Sequence, residues 1–309
     1  MFLNELPEEC LLIIFGLINE LDDLVSCYKV CSKWSRLIEE RTRKVKYLLG
    51  DWPDEEPSPS YPLNHVYYRT EEPIDGTCLS TLFPNLIVAE FLGKLCKKVD
   101  HEDIVTLVKK IKSFKGIIDH FYNRDESVFQ YCDDLEMVST DCVWDIESFI
   151  KKKGAGIKQL QLRNSTLDSF INDVKYFPNL ERLFICDYEE FPDGLEPDGA
   201  ILSRLKIVEL SLNNYCSHNH QGFKFMNSCR NLQSAHIRLE CNHISVGGQL
   251  KHESLRDLVL ECVSICFMYF FFQNQTVRDI MTKVSKLNYS ILINNLYMQH
   301  NTLCSWTHD

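Results

Sequence analysis

The most reactive side chains of this 309-residue chain are its 14 cysteines and 10 histidines. The densest group is CSHNH, Cys216 to His220, which is followed by Cys229 and Cys241. Tetrahedral zinc sites usually combine two pairs of such residues, with about two to four residues inside each pair, and here the second pair is absent. We therefore interpret the group as a polar loop and expect neither a metal site nor a cofactor.

No short signature of catalysis accompanies these residues. The stretch GAG at Gly154 lacks the Lys and the Ser or Thr that complete a phosphate-binding loop, so we predict that it ends a helix after FIKKK. Catalysis by a Cys–His pair stays open, because its members need not be neighbours in sequence, but no cysteine has a recognisable local signature. We expect a protein that is not an enzyme.

The overall charge argues against binding to nucleic acid. The formal net charge is -11 and the isoelectric point is about 5.4, whereas nucleic-acid affinity depends largely on Lys and Arg displacing counterions from phosphates. The basic run RTRKVK, Arg41 to Lys46, is more simply the end of a helix, where positive charge complements the helix dipole.

The apolar stretch LPEECLLIIFGLI, Leu6 to Ile18, is compatible with a secretory signal, a first helix or a protein-docking surface. A signal needs a basic segment before its apolar core, but Glu5, Glu8 and Glu9 precede or enter this one. The other long apolar run, Cys262 to Phe272, has eleven residues, and a bilayer requires about 20. We expect a soluble protein without membrane contact, located in the cytoplasm, the nucleus or both, where its many cysteines remain thiols.

The first 48 residues are predicted to form three short helices. In the first, apolar residues recur at helical spacing, Pro7 suits the first helical position, and Glu8 and Glu9 favour the positive end of the helix dipole. The second helix carries Leu24 and the third carries Trp34. Three such helices enclose little core of their own, so we expect this unit to depend on a partner.

Residues 49–76 are predicted to be a linker. They contain five of the ten prolines and a cluster of Asp and Glu. Proline removes backbone hydrogen-bond donors, and the charged side chains resist collapse into a core.

The pattern LxxLxL recurs within residues 77–265. Five copies start 23, 25, 27 and 23 residues apart, inside or near the period of roughly 20 to 29 residues that is typical of leucine-rich repeats. We predict that each copy is a short strand whose first, fourth and sixth residues reach the core, with a helical or irregular return segment before it. The copies are IKQLQL (157–162), LERLFI (180–185), LKIVEL (205–210), LQSAHI (232–237) and LRDLVL (255–260).

Fainter copies flank these five. Upstream are LIVAEF at 86–91 and LEMVST at 135–140, and a predicted helix at 102–114 leads into GIIDHF. Downstream, residues 266–309 are interpreted as a degenerate terminal repeat or a tail, in which TVRDIMTKVSKLNYSILI predicts one more helix and strand.

The first 40 residues resemble the F-box family. The run VCSKW stands where that family has a Val-Ser-x-x-Trp-like run, and the other matching residues are Leu6-Pro7, Glu8-Glu9, Ile14-Phe15, Ile18, Leu24, Val30 and Trp34. With the linker and repeats that follow, the chain resembles an F-box and leucine-rich-repeat protein. The resemblance implies an α/β fold in which a three-helix F-box at 1–48 precedes a leucine-rich-repeat solenoid, a curved parallel sheet with helices or irregular segments outside.

The function implied by this resemblance is that of a substrate-recognition subunit of a Skp–cullin–F-box ubiquitin ligase. The F-box would bind the Skp adaptor and through it the cullin, and the repeats would bind an unknown protein substrate for ubiquitination and proteasomal degradation. The transfer chemistry would belong to other subunits. The alternative is an F-box scaffold that binds its partners without ubiquitinating them. The adaptor contacts of the family map onto Leu6, Pro7, Ile14, Phe15, Leu24, Val30 and Trp34.

The repeats also predict a substrate-binding surface. Because strand residues alternate between two faces, those beside the core positions lie on the open face of a stacked sheet. This argument selects Gln159, Gln161, Arg163, Arg182, Phe184, Glu209, His236, Arg238, Asp257 and Glu261.

Overall fold

The structure is a computed structural model that forms two compact units, Met1–Val138 and Ser139–Asp309. It describes residues 3–50, 64–68, 75–91, 101–119, 131–140, 147–163, 167–187, 202–212, 225–239, 254–262 and 288–293. The cysteine- and histidine-rich stretch at 216–220 and Cys241 lie outside these residues.

The first unit begins with a helical bundle, and the three predicted helices are confirmed. A short 3-10 helix, Leu3–Glu5, precedes α1 (Glu8–Gly16), α2 (Leu21–Tyr28) and α3 (Ser32–Thr42). Pro7 stands at the N-cap of α1 and two glutamates occupy its first turn, as the helix dipole favours. The bundle core consists chiefly of Leu11, Phe15, Leu24, Leu37 and Ile38.

The rest of the first unit is a parallel sheet with helices. Its strand order is β2-β1-β3-β4, and β5 spans the boundary with the second unit. The elements are β1 (Tyr47–Gly50), β2 (His65–Tyr68), α4 (Gly76–Leu82), β3 (Val88–Phe91), α5 (His101–Lys110), β4 (Gly116–Asp119) and β5 (Met137–Thr140).

The linker interpretation does not hold for the part of 49–76 that the structure describes after β1. The strand β2 pairs in parallel with β1, and the side chains of Val66 and Tyr68 are buried. The Tyr68 hydroxyl donates a hydrogen bond to the Glu90 carbonyl at 2.6 Å. The physical reason lies in the sequence HVYY, which is rich in β-formers and contains none of the five prolines. Residues 51–63 and 69–74 lie outside the described residues.

The second unit continues with parallel strands in chain order, from β6 to β11. Its helical elements are α6 (Glu147–Lys153), α7 (Leu167–Asp173) and the 3-10 helices Gly154–Gly156 and Val174–Tyr176. Its strands are β6 (Gln159–Leu162), β7 (Arg182–Asp187), β8 (Ile207–Leu212), β9 (Ser234–Leu239), β10 (Asp257–Cys262) and β11 (Asn288–Ile293). The α/β class expected from the sequence is therefore observed.

The five LxxLxL copies form the five strands β6 to β10. The register repeats the sequence spacing, because Gln159, Arg182, Ile207, Ser234 and Asp257 lie opposite one another on neighbouring strands. The fainter copies coincide with β3, β4 and β5, and residues 288–293 supply the additional strand. The predicted core positions are buried wherever the side chain is described: Ile157, Leu160, Leu162, Leu180, Leu183, Ile185, Leu205, Val208, Leu210, Leu232, Ala235, Ile237, Leu255 and Leu258.

Backbone hydrogen bonds repeat from strand to strand. The carbonyl of Lys158 accepts the N–H groups of Glu181 at 2.7 Å and Arg182 at 3.0 Å. The carbonyl of Glu181 accepts the N–H groups of Lys206 at 2.8 Å and Ile207 at 3.1 Å. Directly before each of these strands, one backbone carbonyl therefore accepts two N–H groups from the start of the next strand. These paired hydrogen bonds fix the register between neighbouring strands.

An asparagine directly before the first buried leucine supplies a second repeated contact. The Asn179 side-chain amide donates to the Ala155 carbonyl at 2.7 Å, and Asn231 donates to the Ser203 carbonyl. Asn85 makes the corresponding bond in the first unit, to a carbonyl at the end of the bundle. The Asn-Leu pair is thus a repeat signal that the leucine pattern alone missed.

Gly154 has a packing role beyond ending the helix. The predicted helix end at this position is confirmed, since α6 stops at Lys153. A Cβ atom on Gly154 would lie 2.6 Å from the carbonyl oxygen of Tyr176, which belongs to the following 3-10 helix. We expect Gly154→Ala to lower the free energy of unfolding by about 1 to 3 kcal/mol, measured by urea denaturation, because backbone atoms must move to admit the methyl group.

A matched control for this variant is Gly16→Ala. A Cβ atom on Gly16, the last residue of α1, would have no neighbour within 4 Å. This change should leave stability unchanged or raise it by up to about 1 kcal/mol, since alanine favours helix. Equal destabilisation by the two variants would contradict the close-approach explanation for Gly154.

Candidate functional site

The helical bundle presents an apolar patch to solvent. Within the described part of the chain, the large apolar side chains with the greatest exposure all fall in residues 3–30, and we call them the apolar patch: Leu3, Ile13, Leu17 and Val30. Leu17 is 78% exposed and Ile13 is 67% exposed. These two residues are four apart at the end of α1 and therefore share one face. Contiguous exposed apolar surface is typical of interaction sites, so Ile13 and Leu17 are candidates for such a site.

The residue pattern of α1 explains the patch. Leu11 and Phe15 are four apart and buried, whereas Ile13 and Leu17 are offset from them by two positions, which turns them to the opposite side of the helix. From Leu11 to Leu17 the helical segment is thus apolar on two opposite sides, whereas a surface helix of a globular protein usually has one apolar side. The sequence-based set of adaptor contacts does not include Leu3, Ile13 or Leu17, although the apolar character of Ile13 and Leu17 is legible in LLIIFGL, Leu11 to Leu17.

The predicted adaptor-binding residues divide into surface and core. Pro7 and Val30 are exposed, and Leu6 and Ile14 are half-buried. Phe15, Leu24 and Trp34 are buried within the bundle. In this structure the side chains of Leu24 and Phe15 therefore lie in the core, beneath the surface residues of the bundle.

The Trp34 side chain packs in the core of the bundle and carries a hydrogen-bond donor that has no acceptor within the described part of the chain. Its ring packs edge-on against Phe15, with a centroid distance of 5.1 Å and an interplanar angle of 63°. Its indole Nε1 is buried and has no hydrogen-bond acceptor among the residues that the structure describes. An unpaired buried donor costs about 1 to 3 kcal/mol, so an acceptor supplied by a bound molecule would be stabilising.

A second set of contacts attaches the bundle to the sheet of the first unit. Arg41 on α3 donates from Nη2 to the Asn19 side-chain oxygen at 2.9 Å and to the Ile18 carbonyl at 3.3 Å. The Asn19 carbonyl accepts the backbone N–H of Tyr67 in β2 at 2.8 Å, and Glu20 forms a parallel bridge with the same residue. Burial lowers the pKa of the Arg41 guanidinium from its ordinary value. We call these contacts the Arg41 clamp.

The second unit presents the predicted substrate residues on one face of its sheet. Gln161, Phe184, Glu209 and His236 lie opposite one another in register, and Arg182 and Asp257 belong to a parallel row that begins at Gln159. Arg163 directly follows β6, and Arg238 pairs in register with Glu261, whose side chain lies outside the described residues.

None of the described members of this open face is buried. Gln159, Arg182 and Asp257 are exposed, and the other described side chains are half-buried. The same rows also contain Ile207, Ser234 and Val259, which sequence analysis left out although they occupy the same pattern positions.

An ion pair lies across the open face. Arg182 donates two bonds from Nη2 to the Glu209 carboxylate, at 3.0 and 3.1 Å, and a third from Nε at 3.3 Å. Both side chains are partly exposed, at 47% and 26%, so the pair contributes no more than about 1 kcal/mol to stability. Its main effect is to hold two charged groups of opposite sign in a fixed place on the surface.

The corresponding face of the first unit is buried in part, whereas Tyr47, Tyr67 and Ile118 on that face are half-buried. Leu49, Val88 and Glu90 occupy the same pattern positions there and are 7%, 6% and 8% exposed. The Glu90 carboxylate accepts the backbone N–H of Gly50 at 3.0 Å.

The comparison with protein families identifies the bundle. The F-box-like family model matches residues 3–43, which extend from the first 3-10 helix to the end of α3. The bundle is thus an F-box-like domain, a class of protein-interaction module that generally binds Skp-type adaptors. The search of curated proteins gives no match to the chain.

Two further findings bear on the sequence predictions. Among the described residues, no cluster of three or more His, Cys, Asp or Glu side chains is arranged to hold a metal ion. Over the same residues, no helix has the length and apolarity required to cross a membrane. Cys229, the one described member of the predicted polar-loop group, is buried, and its burial raises the thiol pKa to about 12, so it remains protonated and unreactive at neutral pH.

Proposed function

We propose that this chain is the substrate-recognition subunit of a Skp–cullin–F-box ubiquitin ligase. The observation that carries the proposal is the apolar patch on an F-box-like domain, where Ile13 and Leu17 are left in water on a helix whose other side is already buried. Burying two such side chains under an adaptor would stabilise the complex by about 1.5 to 3 kcal/mol each. Of the seven predicted adaptor contacts, Val30 belongs to this patch, Leu6, Pro7 and Ile14 are partly or fully exposed, and Phe15, Leu24 and Trp34 are buried in the bundle core.

The proposal extends to the strand region as a leucine-rich-repeat solenoid. Its support is the repeated register of β6 to β10, the repeated double acceptor at each strand start, and the Asn-Leu pair. In this arrangement the open face of the second unit binds the protein substrate. The chain needs no catalytic residue of its own, because holding a substrate lysine near a charged conjugating enzyme supplies proximity.

Complex assembly tests this function. The full chain should co-purify with the Skp adaptor and the cullin, and depletion of the chain should cause a substrate protein to accumulate. Absence of the adaptor from the complex would refute the proposal. Adaptor binding without the cullin, or without any accumulating protein, would instead favour a scaffold that does not promote ubiquitination.

The start of α1 provides a graded version of this test. Changing Leu6 and Pro7 together to Ala should weaken adaptor binding about tenfold in a pull-down titration, because Ile13 and Leu17 remain in place. The sheet should stay folded, because the bundle joins it through Asn19, Glu20 and Arg41 instead. Unchanged adaptor affinity would exclude Leu6 and Pro7 from the contact.

A further inference from the structure

The beginnings of the strands in the second unit form a basic edge. The exposed basic residues there are Lys158 before β6, Arg204 and Lys206 before β8, Arg230 before β9 and Arg256 before β10. The one described acidic residue at the same pattern positions is Glu181, before β7. This local excess of positive charge contrasts with the formal net charge of -11 for the whole chain.

Backbone hydrogen bonds space the strand starts of this basic edge at regular intervals. Lys206 and Arg256 each donate their backbone N–H to a carbonyl of the preceding strand start, both at 2.8 Å. Neighbouring parallel strands lie about 4.8 Å apart, so the cations before β6, β8, β9 and β10 are held at defined steps, with Glu181 before β7 interrupting the row. A rigid row of this kind attracts a partner without the cost of ordering a flexible loop.

Three of these five residues interact with other groups of the chain: Lys158, Arg204 and Lys206. Lys206 pairs with Glu181 at 2.8 Å, and Lys206, followed by Lys158 and Arg204, lowers the pKa of the Glu181 carboxyl. Arg204 donates to the Asn179 side-chain oxygen at 2.6 Å, which is a neutral acceptor. The side chains of Arg230 and Arg256 pair with no carboxylate of the described residues.

We propose that the basic edge binds an acidic segment of a partner protein. Guanidinium groups form charge-assisted, often bidentate bonds with carboxylates, and complementary charge accelerates encounter. Single-stranded nucleic acid is disfavoured, because the described residues of the edge include no aromatic side chain on which a base would stack. This site consists of residues other than those of the F-box-like domain and the open face, and it goes beyond the proposed ligase role.

A binding titration with the full chain tests the proposal. The probe is a fluorescein-labelled dodecapeptide of alternating Glu and Ser, followed by fluorescence anisotropy. We expect binding that weakens at least about fivefold when salt rises from about 50 mM to about 300 mM. The double variant Arg230→Glu and Arg256→Glu should weaken it at least about fivefold at low salt, whereas Arg230→Lys with Arg256→Lys should largely retain it.

The matched control makes the same change of charge elsewhere. Lys29→Glu with Lys112→Glu reverses two exposed lysines of the first unit and should leave peptide binding nearly unchanged. Equal loss in both double variants would show attraction by net charge alone and would overturn the site. The absence of peptide binding by the unaltered chain, or tighter binding of a single-stranded thymidine dodecamer than of the peptide, would also overturn it.

Discussion

Replacing Leu17 by Asp should weaken binding of the Skp adaptor about 100-fold, and Ile13→Asp should act similarly. Both side chains are more than half exposed, so neither variant removes core packing from the free protein. In the complex, however, an Asp at either position would be buried against apolar groups without a partner, which costs several kcal/mol. Isothermal titration calorimetry with purified adaptor measures the effect.

The control for this experiment is Thr81→Asp. Thr81 is exposed on α4, outside the F-box-like domain, and the change adds the same charge to the surface. We expect adaptor affinity and thermal stability to match those of the unaltered chain. If Leu17→Asp and Ile13→Asp bind the adaptor normally while the unaltered chain also binds, the adaptor surface lies elsewhere on the bundle and the apolar patch has another role.

The second large effect concerns the Arg41 clamp. Arg41→Met should lower the free energy of unfolding by about 2 to 3 kcal/mol, because the Ile18 carbonyl and the Asn19 side chain lose a charged donor. Methionine retains much of the apolar stem, so the loss reports the hydrogen bonds more than the packing. Urea denaturation followed by circular dichroism measures stability.

Hydrogen exchange separates the clamp from a general loss of stability. The Tyr67 amide donates to the Asn19 carbonyl, so its protection in Arg41→Met should fall more than that of the amides between β7 and β8. Retained protection at Tyr67 would show that Arg41 does not position the bundle on β2.

Arg36→Met is the matched control, since it makes the same change on the same helix. Arg36 forms an ion pair with Glu8, and both side chains are largely exposed. We expect a change in stability close to zero. A loss as large as that of Arg41→Met would mean that positive charge on α3, and not the clamp, sets the stability of the bundle.

The sequence by itself determined the positions of the repeated strands. Each LxxLxL copy contains enough buried side chains to require one orientation, since a shift by one residue would place Leu183 and Ile185 on the open face. It also determined that the chain begins with three short helices, because apolar spacing, Pro7 and the acidic first turn of α1 all favour the same start. The residues of the open face followed from alternation alone.

The tertiary structure decided which apolar residues of the bundle reach solvent. Spacing identifies Leu11, Ile14, Phe15 and Ile18 as apolar, but only the packing of α1 against α3 selects which side is covered. Phe15, Leu24 and Trp34, which remain predicted adaptor contacts, are buried in this structure, whereas Ile13 and Leu17, which the sequence argument did not select, are exposed.

The tertiary structure also decided what residues 64–68 do. The linker prediction rested on the average proline and charge content of residues 49–76. The four residues of β2 are too few to change that average. Their strand forms because β1 offers unpaired backbone groups on one side and the Asn19 carbonyl accepts the Tyr67 amide. Local patterns therefore fixed the repeated elements, and long-range hydrogen bonds that no local pattern records joined the helical bundle to the sheet.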